Sequence, residues 1–196
     1  MKRAAVTTFV AFLVFAPVAA MAHPGHDGAG GLAHGFIHPF TGIDHVLAMI
    51  AVGVLAAQYG GRALWLVPMS FLVAMGAAGA VGMTGISVQI VEAGIGLSVI
   101  VFGLMVAFQI KPPTFVAMVA VGFFALFHGY AHGSEMPEGQ AGLSFAAGFL
   151  VATALLLSAG VGLGLLMQRL TPHRRLFQAG GGAMALVGIA MLVGVL

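Results

Sequence analysis

Residues 87–109 read SVQIVEAGIGLSVIVFGLMVAFQ, an apolar run interrupted by a single charge, Glu92. A helix that crosses the hydrocarbon core of a bilayer needs about 20 consecutive apolar residues, and this run supplies them. In lipid a lone segment must close every backbone hydrogen bond internally, which a helix does and a strand does not. The run therefore reads as a membrane-spanning helix, bounded by Thr84-Gly85 before it and Pro112-Pro113 after it. Working outward, the same reading applies to about 40–59, 63–83, 114–132, 142–168 and 175–196. Gly60-Gly61, the loop from Gly133 to Gly142, and Thr171-Pro172 separate these blocks. The expected fold class is all-α, an integral membrane bundle of six transmembrane helices. Composition agrees, with 61% hydrophobic and 6% charged residues in a chain of 196, where a soluble domain carries about a quarter charged.

The amino-terminal segment has the three parts of a cleavable signal peptide. Lys2 and Arg3 are the positive part, Ala4 to Ala16 the short apolar part, and Ala20-Met21-Ala22 the small-residue cleavage pattern. The expected organisation is a signal peptide over 1–22, a periplasmic Gly- and His-rich leader over 23–38, and a membrane domain over 39–196. Loop charges test that orientation independently. With His23 outside, Arg62, Lys111, Arg169, Arg174 and Arg175 all fall on the cytoplasmic side, while the external loops hold Asp27, Glu135 and Glu138. Basic residues belong on the cytoplasmic side of a membrane protein. The reading is a bacterial inner-membrane protein with both mature termini in the periplasm.

A sequence pI near 9.5 is not a nucleic-acid signature here, because the formal excess is only +2 and the basic residues are scattered. Cysteine is absent, so metal chemistry must rest on His, Asp, Glu, Met or backbone oxygen. Gly76, Gly79 and Gly82, Gly94 and Gly96, and Gly160, Gly162 and Gly164 recur within blocks, where small residues let helices approach closely in lipid. The twelve methionines lie among Leu and Val and read as flexible apolar filler. Three spans per half would give two halves of opposite orientation, the geometry of an inverted repeat, though no residue-level alignment supports it.

The polar residues gather on one side. His38 to His45 (HPFTGIDH) stands at the mouth of the first span, and His128-Gly129-Tyr130-Ala131-His132 near the outer end of the fourth. An i, i+4 pair puts both imidazoles on one helical face, within reach of one ion. Glu92 is expected about 7–8 Å into the third span, at 1.5 Å per residue, and Glu135 just past His132. Each has a plainer reading: Thr41-x-x-Asp44 as a capping box, His45 as an interfacial histidine, Glu92 as a neutral group paired with Ser or Gln. Ionisable groups inside membranes are costly, however, and usually mark ion pathways. Imidazole with carboxylate and no thiolate suits Ni²⁺, Co²⁺ or Zn²⁺. His23-Pro24-Gly25-His26-Asp27 adds a free amine and two imidazoles, read either as a polar leader or as a capture antenna.

At these residues the chain resembles the HupE/UreJ family of small nickel permeases. The resemblance rests on His38-Pro39-Phe40-Thr41-Gly42-Ile43-Asp44-His45-Val46-Leu47-Ala48-Met49 and on Phe127-His128-Gly129-Tyr130-Ala131-His132-Gly133-Ser134-Glu135. It implies Ni²⁺ uptake without an ATPase domain, a link to hydrogenase or urease maturation, and functional roles for His38, Asp44, His45, His128, His132 and Glu135.

The expected function is import of a divalent transition metal, Ni²⁺ first and Co²⁺ or Zn²⁺ as alternatives, with the chain not an enzyme. The metal set is His38, Asp44, His45, Glu92, His128, His132, Glu135 and His23. The lipid bilayer and the ion are the expected partners, nucleic acid is not, and assembly into a homo-oligomer stays open. Two competing readings are an integral-membrane zinc hydrolase, with Glu92 or Glu135 as general base, and a metal-binding accessory protein that transports nothing.

Overall fold

A computed structural model describes residues 28–85, 88–136, 139–170 and 173–196. The signal peptide expected over 1–22, and His23, lie outside these. Every regular element among the described residues is helical: α1 (Gly28–Ile37), a 3-10 turn (His38–Phe40), α2 (Ile43–Tyr59), α3 (Ala63–Gly82), α4 (Val91–Phe108), α5 (Thr114–Ser134), α6 (Gln140–Gln168) and α7 (His173–Leu192). Five of them, α3 to α7, are long and apolar enough to cross a membrane.

The first apolar block departs from a single straight span. The segment Gly31–Phe40 and the helix Ile43–Tyr59 meet at 76°, and the leader expected over 23–38 is helical from Gly28. The cause is local. Pro39 sits in the 3-10 turn and has no N–H to bond back to the preceding turn of α1. Gly42 then takes an extended conformation as the N-cap of α2. The chain is thus turned between His38 and His45.

Three close helix pairs build the bundle: α3 with α5, α4 with α7, and α2 with α6. Helix α1 lies along the outer part of α6. Small residues make these contacts, as expected where packing rather than water drives association. A Cβ on Gly53 would strike the Leu157 carbonyl, and one on Gly181 the Gly103 carbonyl. Taken over the six long helices, the pairs join first with fifth, second with fourth and third with sixth. Exchanging the two halves of three helices carries this set onto itself, a pattern in keeping with an inverted repeat.

Helix α2 is the axis of the bundle. It contacts α3, α4 and α6, and between Ala48 and Gln58 only Ile50 is less than fully buried. A helix apolar on every side belongs in an interior. The opposite situation holds at the periphery, where Trp65, Val73, Phe115, Phe123, Leu143 and Leu186 are each more than half exposed. That outward apolar surface suits hydrocarbon.

Candidate metal-ion site

The bend places the two histidines of the first motif at different depths facing one helix. His38 opens the 3-10 turn after α1 and is held by local bonds: the Thr41 hydroxyl donates to its carbonyl at 2.7 Å and the Thr41 amide at 3.0 Å. His45 lies in the first turn of α2 and is fully buried. On α5, His128 and His132 form one stripe and Gly129 and Gly133 the adjacent one. A Cβ on Gly129 would meet the Met75 backbone, and one on Gly133 the Gly79 backbone. The glycines therefore let α3 lie flush against α5 while the histidines face the first motif.

His38 Nε2 is 3.2 Å from His132 Nδ1 and 3.1 Å from Glu135 Oε2. His132 Nδ1 is 3.6 Å from the same carboxylate oxygen. At a metal–ligand bond near 2.1 Å, donors sharing one ion stand about 3.0–3.4 Å apart, so the two separations from His38 already have the spacing of a coordination site and the 3.6 Å one is slightly wider. Among the described residues, His38, His132 and Glu135 are the group whose donor atoms all lie within 4.8 Å of one another.

The far nitrogen of His132 continues inward. His132 Nε2 is 3.2 Å from His45 Nδ1, and His45 Nε2 is 3.2 Å from the Thr153 hydroxyl. The His45 and His128 ring centroids are 5.5 Å apart, and His128 Nε2 reaches the Ser98 hydroxyl at 2.9 Å. Side-chain exposure falls along this row, from 58% at Glu135 to 24% at His38 and 14% at His132; His45 and His128 are at 0%. Phe149 of α6 walls the row, with its ring 4.6 Å from His132 and 5.1 Å from His45. Phe71 of α3 packs against His128 at 5.7 Å. The arrangement can strip an ion of water stepwise, because each inward step trades exposure for imidazole.

Two expected residues lie beside the row rather than in it. Asp44 is in the first turn of α2, close enough to His132 to interact with it electrostatically. The capping box is not formed, since Gly42 is the N-cap and no side chain bonds the cap amides. Glu92 is corrected in depth. Helix α4 begins at Val91, so Glu92 stands in its first turn and is exposed, not 7–8 Å inside (at 1.5 Å per residue). It lines a cleft of about 500 Å³ together with Gln89, Tyr130, Ser134 and Glu135, and so meets the triad through the outer side of Glu135.

Ser98 and Thr153 escape a reading by ligand type, because neither is a metal ligand by composition. Their signal is weaker: a lone hydroxyl inside an apolar run, which in lipid usually finds a partner on another helix. The opposite end of the bundle is also polar. Gln58 Nε2 donates to the Val106 carbonyl at 3.0 Å, Gln168 Nε2 to the Ala57 carbonyl at 2.7 Å, and Tyr59 to the Pro112 carbonyl at 2.7 Å. Gln58 Oε1 and Gln109 Nε2 are buried there without partners.

Helices of membrane-crossing length around a graded imidazole and carboxylate row define an integral membrane protein built to handle a metal ion. The profile of the HupE / UreJ protein family matches residues 10–191. The chain is also similar to Protein HupE of Rhizobium leguminosarum bv. viciae, at 45% identity over 194 residues, covering 99% of this chain and 100% of that one. No solved structure matches. The chain belongs to the HupE/UreJ family, a family of membrane metal permeases whose members are transporters or accessory proteins rather than enzymes.

Proposed function

We propose that this protein imports Ni²⁺, with Co²⁺ as the second substrate, into the cytoplasm from a site that opens to the periplasm. The observation that carries the reading is the His38–His132–Glu135 triad, whose donors are spaced for one ion and lead directly to buried His45. Imidazole and carboxylate without thiolate favour Ni²⁺, Co²⁺ and Zn²⁺ over Cu⁺. The carboxylate of Glu135 neutralises part of the ion's charge as its water is lost, which lowers the cost of moving a cation toward the bilayer interior.

The orientation belongs to the same proposal. The bent first segment counts as the sixth span, the signal peptide is removed after Ala22, and both mature termini lie in the periplasm. Support comes from the charges. Arg62 follows the end of α2 that carries Gln58, and Arg169 follows the end of α6, both at the end of the bundle remote from the triad. Basic residues favour the cytoplasmic side, so the triad faces outward. His23, at the proposed mature terminus, serves in this reading as a capture ligand. A link to hydrogenase or urease assembly is the expected use of the imported nickel.

Uptake of radiolabelled Ni²⁺ into proteoliposomes tests the reading. Wild type accumulates the ion, while His38→Ala and Glu135→Gln reduce accumulation to the level of empty liposomes. Uptake unchanged in both variants would remove the permease reading. Ion binding without any accumulation in wild type would leave the accessory role instead.

A further inference from the structure

The exchange that carries the helix pairs onto one another holds residue by residue. Between α2 and α6, a Cβ on Gly53 would strike the Leu157 carbonyl and one on Gly160 the Ile50 carbonyl. Between α5 and α3, a Cβ on Gly133 would strike the Gly79 carbonyl and one on Gly82 the Tyr130 carbonyl. Gly53 thus corresponds to Gly133, and Gly160 to Gly82. In the same register Phe145, Phe149 and Leu156 of α6 take the places of Val67, Phe71 and Ala78 of α3, and all six are buried. The α4–α7 pair maps onto itself. Gly103 abuts the Gly181 carbonyl and the Ala185 amide, and Gly188 the Gly96 carbonyl and the Ile100 amide. The two halves are inverted copies related about the α4–α7 contact.

Contacts between the pairs do not share this symmetry. Helix α2 packs on α3 and α4, so the exchange would place α5 on α6 and α7. Among the described residues α5 makes no comparable approach to either. Side chains span the space instead, with the His132 and Phe149 rings 4.6 Å apart. Inverted copies held in unlike arrangements are what alternating access requires, because trading the arrangements gives the opposite-facing state.

That trade divides the three bonds at the end remote from the triad. Gln168 Nε2 donates to the Ala57 carbonyl within the α2–α6 pair, and this bond survives. Gln58 Nε2 to the Val106 carbonyl and Tyr59 to the Pro112 carbonyl tie α2 to α4 and the segment after it. Both must break when α2 parts from α4. The Val106 carbonyl also accepts from the Gln109 amide at 3.3 Å, so Gln58 and Gln109 meet there. Gln58 Oε1 and Gln109 Nε2 are buried without partners. Such groups are costly, and opening this end would give both of them water.

We propose that α2 with α6 and α3 with α5 move as two rigid pairs about the α4–α7 contact, and that Gln58 and Tyr59 latch the inner gate. The inference rests on the import reading above and deepens it by naming the barrier that opens on release. The outer arrangement seen here is then the loading state, and the latch keeps it from leaking.

The chain has no cysteine, so introduced thiols report alone. The test uses the full chain in proteoliposomes with radiolabelled Ni²⁺, each variant compared with its own unlinked form. Gln58→Cys with Val106→Cys, bridged by a cleavable thiol reagent with a two-carbon spacer, holds α2 on α4. Uptake should fall to the level of empty liposomes and return when the bridge is cleaved. Ala74→Cys with Gly122→Cys links α3 to α5 within a pair, where a Cβ on Gly122 would stand 3.7 Å from that of Ala74, a disulfide spacing. That link should leave uptake unchanged. A second arm needs no bridge: Tyr59→Phe should raise the labelling rate of a single Val106→Cys thiol about fivefold, the worth of one hydrogen bond, and Gln168→Leu should not. Uptake that persists with the α2–α4 bridge complete by mass would overturn the gate. A block by the α3–α5 link would overturn the rigid pairs, and labelling indifferent to Tyr59 the latch. Failure of the import reading looks different, since the unlinked chain would then accumulate nothing.

Discussion

The two ends of the bundle hold polar groups of opposite character. At one end the groups are imidazoles and a carboxylate that reach each other side chain to side chain, from Glu135 through His38 and His132 to His45. At the other end they are amides and a phenol that bond the backbone: Gln58 to Val106, Gln168 to Ala57 and Tyr59 to Pro112. Between them, helix α2 rises about 20 Å from His45 to Gln58. That stretch is packed by Met49, Val52, Leu55, Phe71 and Phe102, all buried. The contrast teaches how one chain can be both a binding site and a barrier. Side chains that bond one another can exchange partners with an ion, whereas side chains spent on backbone carbonyls lock helix ends in place. On the proposed import, passage to the far side requires helices to move, as in the rocking of one repeat against another.

Substitutions at each end test that contrast. The largest effect is expected from His38→Ala and Glu135→Gln, which abolish Ni²⁺ uptake while leaving the amount of folded protein in the membrane unchanged, read by immunoblot beside the transport assay. Gly133→Leu comes next. Its side chain would enter the Gly79 backbone of α3, and overpacking of this kind costs about 1–3 kcal/mol or more. The expected outcome is a lower melting temperature and a matching loss of folded protein. Glu92→Gln is milder, because its carboxylate lies in the outer cleft and not in the triad. Uptake at limiting Ni²⁺ should fall up to about tenfold, as expected for lost electrostatic steering, and recover as Ni²⁺ is raised. Gln58→Leu is the smallest in stability. It removes one hydrogen bond and one buried unpartnered oxygen, effects that nearly offset at about 1 kcal/mol each. Unfolding should shift little and Ni²⁺ binding at the triad not at all.

Much of this was legible in the chain. The apolar blocks predicted helices close to those found, because in lipid a long apolar run has one way to satisfy its backbone. The i, i+4 spacing of His128 and His132 predicted a shared face for the same geometric reason. The break at His38–Phe40 was not legible as a bend. Pro39 and Gly42 signal an interruption, but its 76° angle depends on α1 packing along α6. The depth of Glu92 was misjudged because the start of α4 is set by where backbone bonding begins, at Val91, and not by where hydropathy rises.

The sequence by itself determined the solvent, the helical class and the side chains capable of holding a metal, since these follow from residue chemistry and local period. Only the tertiary structure decided which of those side chains meet. His38 and His132 are 94 positions apart, and His45 and Thr153 are 108. Their contact depends on glycines that let α5 and α6 approach their neighbours, a long-range packing outcome that local pattern does not encode. Ser98 and Thr153, lone hydroxyls in apolar runs, meet the Nε2 atoms of His128 and His45 only because the fold sets them side by side.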